Sequence, residues 1–189
     1  MNMSVLVLAG GRSRRMGTDK KELRWNGKTF LDSLAETVQQ AGLSPLLVSA
    51  QRNVPGYKTV LDEHEGRGPL EGILCGLKAI RTQKMMVLAV DTPQLPATLL
   101  EAVARHAVPA EAQFTVLSHD SFDEAMISVI DCSLLPSIEK MMENGCLRPL
   151  MIRELGTFDR YYYDGDLDRI RSINSPEEYE RLGRKFEAL

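Results

Sequence analysis

Gly10-Gly11-Arg12-Ser13-Arg14-Arg15-Met16-Gly17-Thr18-Asp19-Lys20-Lys21 is the segment in which residue type and spacing speak most directly of chemistry. Two glycines let a backbone approach a ligand closely and present bare N–H groups. Arg12, Arg14, Arg15, Lys20 and Lys21 crowd positive charge into one loop of a chain whose formal net charge is −3. Guanidinium forks and ammonium point charges are natural partners of phosphate oxygens. The alternative is a solvated basic loop that binds anions diffusely, and the apolar run Val5 to Ala9 placed directly before the glycines argues against it.

Two commoner phosphate motifs are excluded by counting. A dinucleotide fingerprint requires glycine two positions after Gly10, where Arg12 stands. Gly27-Lys28-Thr29 imitates the end of a Walker A loop, but Glu22 occupies the upstream glycine position.

Acidic side chains supply the second half of the chemistry. Asp91 follows an apolar run and precedes Thr92-Pro93, a rigid turn. A carboxylate there can bind Mg²⁺, which takes oxygen ligands and shares its shell with waters and phosphates; it can equally cap the turn through the backbone. Asp62 sits at the end of the short run Thr59 to Leu61, where a carboxylate reads either as a turn aspartate or as an acceptor for N–H or O–H groups of a ligand. His64 sits in a charged loop and reads as solvent-facing. Ser175, Pro176 and Glu178 fit N-cap, N1 and N3 of a capping box, which accounts for the segment after Asn174 without any ligand.

These residues need elements to hold them. Val5–Ala9, Leu46–Ala50, Thr59–Leu61, Met85–Val90, Phe114–Leu117 and Met126–Ile130 read as strands, with Thr157–Tyr163 as an edge strand. Helical spacing predicts helices over Phe30–Ala41, Leu70–Ile80, Pro96–Ala107, Leu134–Asn144 and from Pro176 onward. Alternating strands and helices imply parallel crossovers, hence an α/β fold: a three-layer α/β/α sandwich whose mostly parallel sheet is mixed because one late strand runs antiparallel. Ligands of such sheets bind at the carboxyl ends of the strands, so the loops after Ala9, Ala50, Leu61 and Val90 are the expected site. Gly68-Pro69 suits a helix start, and Gly72 and Gly76 share a helix face, read as packing against the sheet.

Composition sets the outer bounds. The 189 residues, 43% hydrophobic and 26% charged, fit a single domain, residues 1–189, that needs no disulfide or structural metal. Cys75, Cys132 and Cys146 show no metal-binding spacing. The near-neutral charge offers no general attraction to nucleic acid or an anionic membrane. No apolar run is long enough to span a bilayer, and the apolar N-terminus lacks the basic region of a signal peptide, so the expectation is a cytoplasmic protein.

Leu8-Ala9-Gly10-Gly11-Arg12-Ser13-Arg14-Arg15-Met16-Gly17-Thr18-Asp19-Lys20-Lys21-Glu22-Leu23 resembles the signature of the MobA family, the molybdenum cofactor guanylyltransferases. Leu61-Asp62, Gly68-Pro69-Leu70-Glu71-Gly72-Ile73, Val90-Asp91-Thr92-Pro93 and Asn174-Ser175-Pro176-Glu177-Glu178 match in order, so the resemblance spans essentially the whole chain. It implies a Rossmann-like nucleotidyltransferase fold and transfer of GMP from GTP to the phosphate of molybdopterin, with Mg²⁺ as cofactor. It further implies Arg15, Lys20 and Asp91 as catalytic residues, and Leu8, Ala9, Gly10, Gly11, Lys20, Ser49, Asp62 and Asp91 as the nucleotide site. Asp91 is the implied metal ligand, with Asn174 as a second oxygen, and proteins that mature molybdoenzymes are implied partners. The double glycine favours the guanylyl branch over the cytidylyl branch. Two positions depart from the pattern: Ser49 stands where the family carries Asn, and Glu124-Ala125 where relatives show His-Pro or Gln-Pro beside the acceptor. A cytidylyl- or uridylyltransferase acting on a pterin or sugar phosphate, and a non-catalytic nucleotide-binding adaptor, are the alternative readings.

Overall fold

The computed structural model describes residues 3–10 and 20–187. Its main sheet is built from β1 (Met3–Leu8), β4 (Leu46–Ala50), β5 (Thr59–Leu61), β6 (Lys84–Ala89), β7 (Phe114–His119), β8 (Phe122–Asp131) and β9 (Phe158–Tyr162). A separate two-stranded ribbon pairs β2 (Arg24–Trp25) with β3 (Lys28–Thr29). The helices are α1 (Phe30–Gln40), α2 (Pro69–Ala79), α3 (Ala97–Ala107), α4 (Leu135–Glu143) and α5 (Pro176–Glu187).

The seven strands lie in the order β5-β4-β1-β6-β8-β7-β9. β1 pairs in parallel with both β4 and β6, and β4 with β5. Only β8 runs against its neighbours β6 and β7, while β9 returns parallel to β7. The mixed sheet with one antiparallel strand is therefore as the sequence predicts. A hairpin makes β8 antiparallel: Asp120 and Ser121, with φ of 43° and 72°, form the turn between β7 and β8. Two adjacent positive φ values suit the twist of a tight hairpin.

Alternation along each strand sorts the core into two layers. Val5, Val7, Val48 and Met86 face a cluster containing Phe30, Leu34 and Val38 of α1 and Leu99, Leu100 and Val103 of α3. Leu6, Leu8, Leu47, Met85 and Val87 face the opposite cluster, with Leu70, Ile73 and Leu77 of α2 and Ile138 and Met142 of α4. Continuous apolar strands covered on both faces are what parallel crossovers require.

Several boundaries differ from the sequence reading for local reasons. The ribbon of β2 and β3 is absent from that reading because two-residue strands carry no period; its signal is Asn26-Gly27, whose φ values of 50° and 75° make the turn. β8 begins four residues earlier than Met126, since Phe122 to Ala125 are exposed or half-buried and form no apolar run. A 3-10 turn over Cys132–Leu134, capped by the Asp131 side chain accepting from Ser133 N, takes up the expected start of α4. Another 3-10 stretch covers Pro149–Glu154. Among the described residues, no helix is long and apolar enough to cross a membrane.

Candidate nucleotide and metal site at the carboxyl edge of the sheet

Parallel pairing continues past the strand ends and sets the site residues side by side. Ala9 N donates to Ser49 O (2.9 Å), Val90 N to Leu8 O (3.1 Å) and Asp62 N to Ala50 O (3.3 Å). The ends of β1, β4, β5 and β6 thus form one ledge carrying Leu8-Ala9-Gly10, Ser49-Ala50, Asp62 and Asp91. Of the residues expected at the site from sequence, Gly11 and Arg15 lie outside the described residues.

Asp91 is positioned by its own turn and by a distant segment. Thr92 Oγ1 donates to Ala89 O (2.8 Å), so the threonine hydroxyl secures the turn. Ile173 N donates to Asp91 O (2.8 Å), which stitches the 173–174 segment alongside. Lys20 Nζ then approaches Asp91 Oδ2 at 2.7 Å and donates to Asn174 Oδ1 at 2.5 Å. The second oxygen, Asp91 Oδ1, is buried and has no hydrogen-bond partner among the described residues. The Asp91 carboxylate thus meets charge on one side and carries an acceptor on the other that no described residue satisfies. An oxygen in that condition fits a hard divalent cation, with Asn174 Oδ1 as a second donor.

Asn174 is also held by the capping box that precedes α5. Glu178 Oε2 accepts from Asn174 N (2.6 Å) and Ser175 N (3.0 Å), while Ser175 Oγ accepts from Glu178 N (3.3 Å). The box fixes the backbone, and the Asn174 side chain meets Lys20.

Asp62 occupies the other end of the ledge. Its Oδ1 accepts from Ser49 Oγ at 2.8 Å, and a Cβ placed on Gly10 would sit 3.1 Å from Oδ2. Burial pushes the Asp62 carboxyl above its ordinary value; the Ser49 hydroxyl pulls it down by less, and the nearby Glu71 charge adds to the upward push. Ser49 is itself buried. Its hydroxyl therefore serves the site through Asp62, where an asparagine would present an amide.

Gly72 explains how α2 reaches the ledge. A Cβ there would fall 2.3 Å from Ser49 Oγ and 2.8 Å from Leu8 Cδ2, and one on Gly76 would meet Leu6 Cδ2 at 2.6 Å. Both glycines pack the helix on the sheet, as their spacing predicts. Gly68, with φ of 67°, is the N-cap before Pro69.

Glu124 lies at the start of β8, on the edge of the sheet shared with Asp91, and meets His119 Nε2 at 3.1 Å. His64 is half-exposed, but its Nδ1 stands 3.0 Å from Glu71 Oε1. The burial of Glu71 is the feature the sequence reading missed; its signal was a carboxylate inside the apolar run Leu70–Leu77.

The MobA-like NTP transferase domain matches residues 5–157 of the chain. The molybdenum cofactor guanylyltransferase of Pseudomonas fluorescens is 33% identical over 182 residues, covering 92% of this chain and 90% of that protein. The protein of the same name from Pseudomonas putida is 31% identical over 189 residues, covering 92% and 94%. In three dimensions the chain is similar to molybdopterin-guanine dinucleotide biosynthesis protein A from Archaeoglobus fulgidus, with a TM-score of 0.83, 21% identity, and coverage of 98% and 100%.

Proposed function

The chain belongs to the MobA-like NTP transferase domain family, and is thereby a nucleotidyltransferase; from that membership we propose that it transfers GMP from GTP to the phosphate of molybdopterin. The observation that carries this reading is the meeting of Lys20, Asp91 and Asn174 at the end of the β-ledge, with Asp91 Oδ1 buried and unsatisfied among the described residues. Relatives at 33% and 31% identity bear the name molybdenum cofactor guanylyltransferase, which supports both donor and acceptor.

GTP lies along the Gly10-Gly11 loop at the end of β1, where glycine, having no side chain, lets phosphate approach the backbone. Asp62 faces the nucleoside; a carboxylate accepts from guanine N1–H and N2–H, or from ribose hydroxyls. Asp91, with Asn174, holds Mg²⁺, which when bound spreads positive charge over the phosphate oxygens. Lys20 leaves Asp91 for the phosphates as the nucleotide arrives. Arg15 and Gly11 enter this account from sequence alone.

An oxygen of the molybdopterin phosphate bonds to the α-phosphorus as the bond from that phosphorus to the oxygen bridging the α- and β-phosphates of GTP breaks. Pyrophosphate leaves with the electron pair. A phosphate monoester with a second pKa of about 6 is largely dianionic at neutral pH, so the attack needs no general base. The work of the chain is positioning and electrostatic stabilisation. A reaction that draws on GTP is placed in the cytoplasm, and delivery of its product engages proteins that mature molybdoenzymes.

The test is pyrophosphate release with GTP, CTP or UTP, each with and without molybdopterin. Release that needs GTP and molybdopterin together is expected. Release with CTP in preference to GTP, or none with any pair, overturns the reading.

A further inference from the structure

Away from Asp91, the described residues bring three metal-ligating side chains to one place. Glu63, His64 and Glu71 each offer a donor atom, and the three atoms lie within 4.8 Å of one another. Glu63 and His64 stand in the loop after Asp62; Glu71 comes from the first turn of α2. We propose that this trio is a second cation site, specific for a divalent transition-metal ion of the Zn²⁺ or Co²⁺ kind.

Glu71 supplies the independent reason. Its side chain is 1% exposed, yet its Oε2 has no hydrogen-bond partner among the described residues. Oε1 accepts from His64 N at 3.0 Å, with His64 Nδ1 also at 3.0 Å. Among the described residues, Arg67 Nη1 approaches Oε2 to 3.9 Å, beyond hydrogen-bond reach. The Cys75 thiol also points at Oε1, at 3.8 Å, so the shortfall lies at Oε2 alone; a buried carboxylate oxygen without a donor is in an unfavourable state that a bound cation relieves.

Geometry and donor type select the ion. Bonds of about 2.0–2.1 Å in a tetrahedron set ligand atoms roughly 3.4 Å apart, and rotation of the exposed Glu63 and His64 side chains closes the difference. One imidazole nitrogen with two carboxylates suits Zn²⁺ and Co²⁺, whereas Mg²⁺ takes oxygen alone. Lys78 Nζ, 3.5 Å from Glu63 Oε2, also holds Glu139 Oε1 at 3.0 Å, and keeps that partner when Glu63 turns to the metal.

The site is separate from the Asp91 cluster. β5 and β6 are three strand spacings apart in the sheet, on the order of 14 Å. A bound ion ties the loop behind Asp62 to α2 and so stiffens the nucleoside end of the ledge. The proposal stands whether or not the chain transfers GMP.

The test titrates Co²⁺ into chelator-stripped full-length Asp91→Asn protein, followed by calorimetry and visible ligand-field absorption. One equivalent is expected to bind, and a large excess of Mg²⁺ to leave it in place. Adding His64→Ala or Glu63→Gln, both changes at exposed side chains, is expected to weaken binding by at least roughly tenfold. Absence of saturable uptake, or unchanged affinity in the His64→Ala protein, overturns the proposal.

Discussion

The Lys20 ammonium sits 2.7 Å from Asp91 Oδ2 across 71 residues of chain. The same nitrogen reaches Asn174 Oδ1, 154 residues away. A side chain expected at the phosphates thus rests on the other oxygen of the carboxylate expected to bind metal, and on the Asn174 oxygen beside it. Both side chains of the ion pair are largely shielded from water, 18% and 17% exposed, so the attraction is less screened than on an open surface.

Lysine and metal ion therefore compete for one carboxylate. Lys20→Met is expected to tighten Mn²⁺ binding in the absence of nucleotide, read by electron paramagnetic resonance of free Mn²⁺. The same change is expected to lower turnover by about 10²–10³-fold, because a charge that stabilises the phosphates in the transition state is gone. An unchanged Mn²⁺ affinity would mean that the contact does not close the site, and retained turnover would remove Lys20 from the phosphates.

Asp91→Asn separates ligation from shape. The amide keeps an oxygen for Lys20 and nearly the same volume, so the turn held by Thr92 and the link from Ile173 persist. Metal-dependent turnover is expected to fall at least ~10²-fold, with little movement of the melting temperature. Metal titration curves of turnover that match the parent protein would refute the ligand assignment.

Asp62 is expected to trade stability for binding. Burial raises its carboxyl above the ordinary range, so in the folded state the charged form is disfavoured. At pH above the folded value the group destabilises the fold, and that penalty is relieved as pH falls toward the unfolded value, because the folded chain takes up the proton first. Asp62→Asn, which keeps an acceptor for the Ser49 hydroxyl, should raise the melting temperature near pH 8. The gain should shrink toward pH 4, while nucleotide affinity drops. A gain that is constant across that range would show that the Asp62 charge is not the cause.

Much of the ledge was legible in the residues because parallel strands buried on both faces leave long apolar runs, each ending at a polar turn. Val5 to Ala9 and Met85 to Val90 are of this kind, and they deliver Gly10 and Asp91. The Lys20–Asn174 meeting was not legible: it depends on Ile173 N reaching Asp91 O, a long-range contact with no local pattern. Glu71 was hidden for a different reason. Its place in an apolar helix marks it as unusual, but only the fold shows His64 folding back to meet it. The loop bearing Gly11 and Arg15 keeps its meaning from sequence alone.

Gly72 offers a test of how tightly helix α2 must approach the ledge. A Cβ there meets Ser49 Oγ at 2.3 Å and Ser49 Cβ at 3.1 Å; turning the hydroxyl aside breaks its bond to Asp62, and the Ser49 Cβ has no such freedom. Gly183, in α5, has nothing within 4 Å of the same added atom, and serves as the control. Gly183→Ala should stabilise by about 0.5–1 kcal/mol through helix propensity, raising the melting temperature by roughly 1–4 °C. Gly72→Ala gains the same propensity but overpacks the interface, a cost of about 1–3 kcal/mol, and is expected to lower the melting temperature. It should also displace Ser49 from Asp62 and weaken nucleotide binding more than it weakens the fold. If both alanines stabilise alike, α2 has room to move, and close contact of Gly72 with Ser49 is not what sets Asp62 in place.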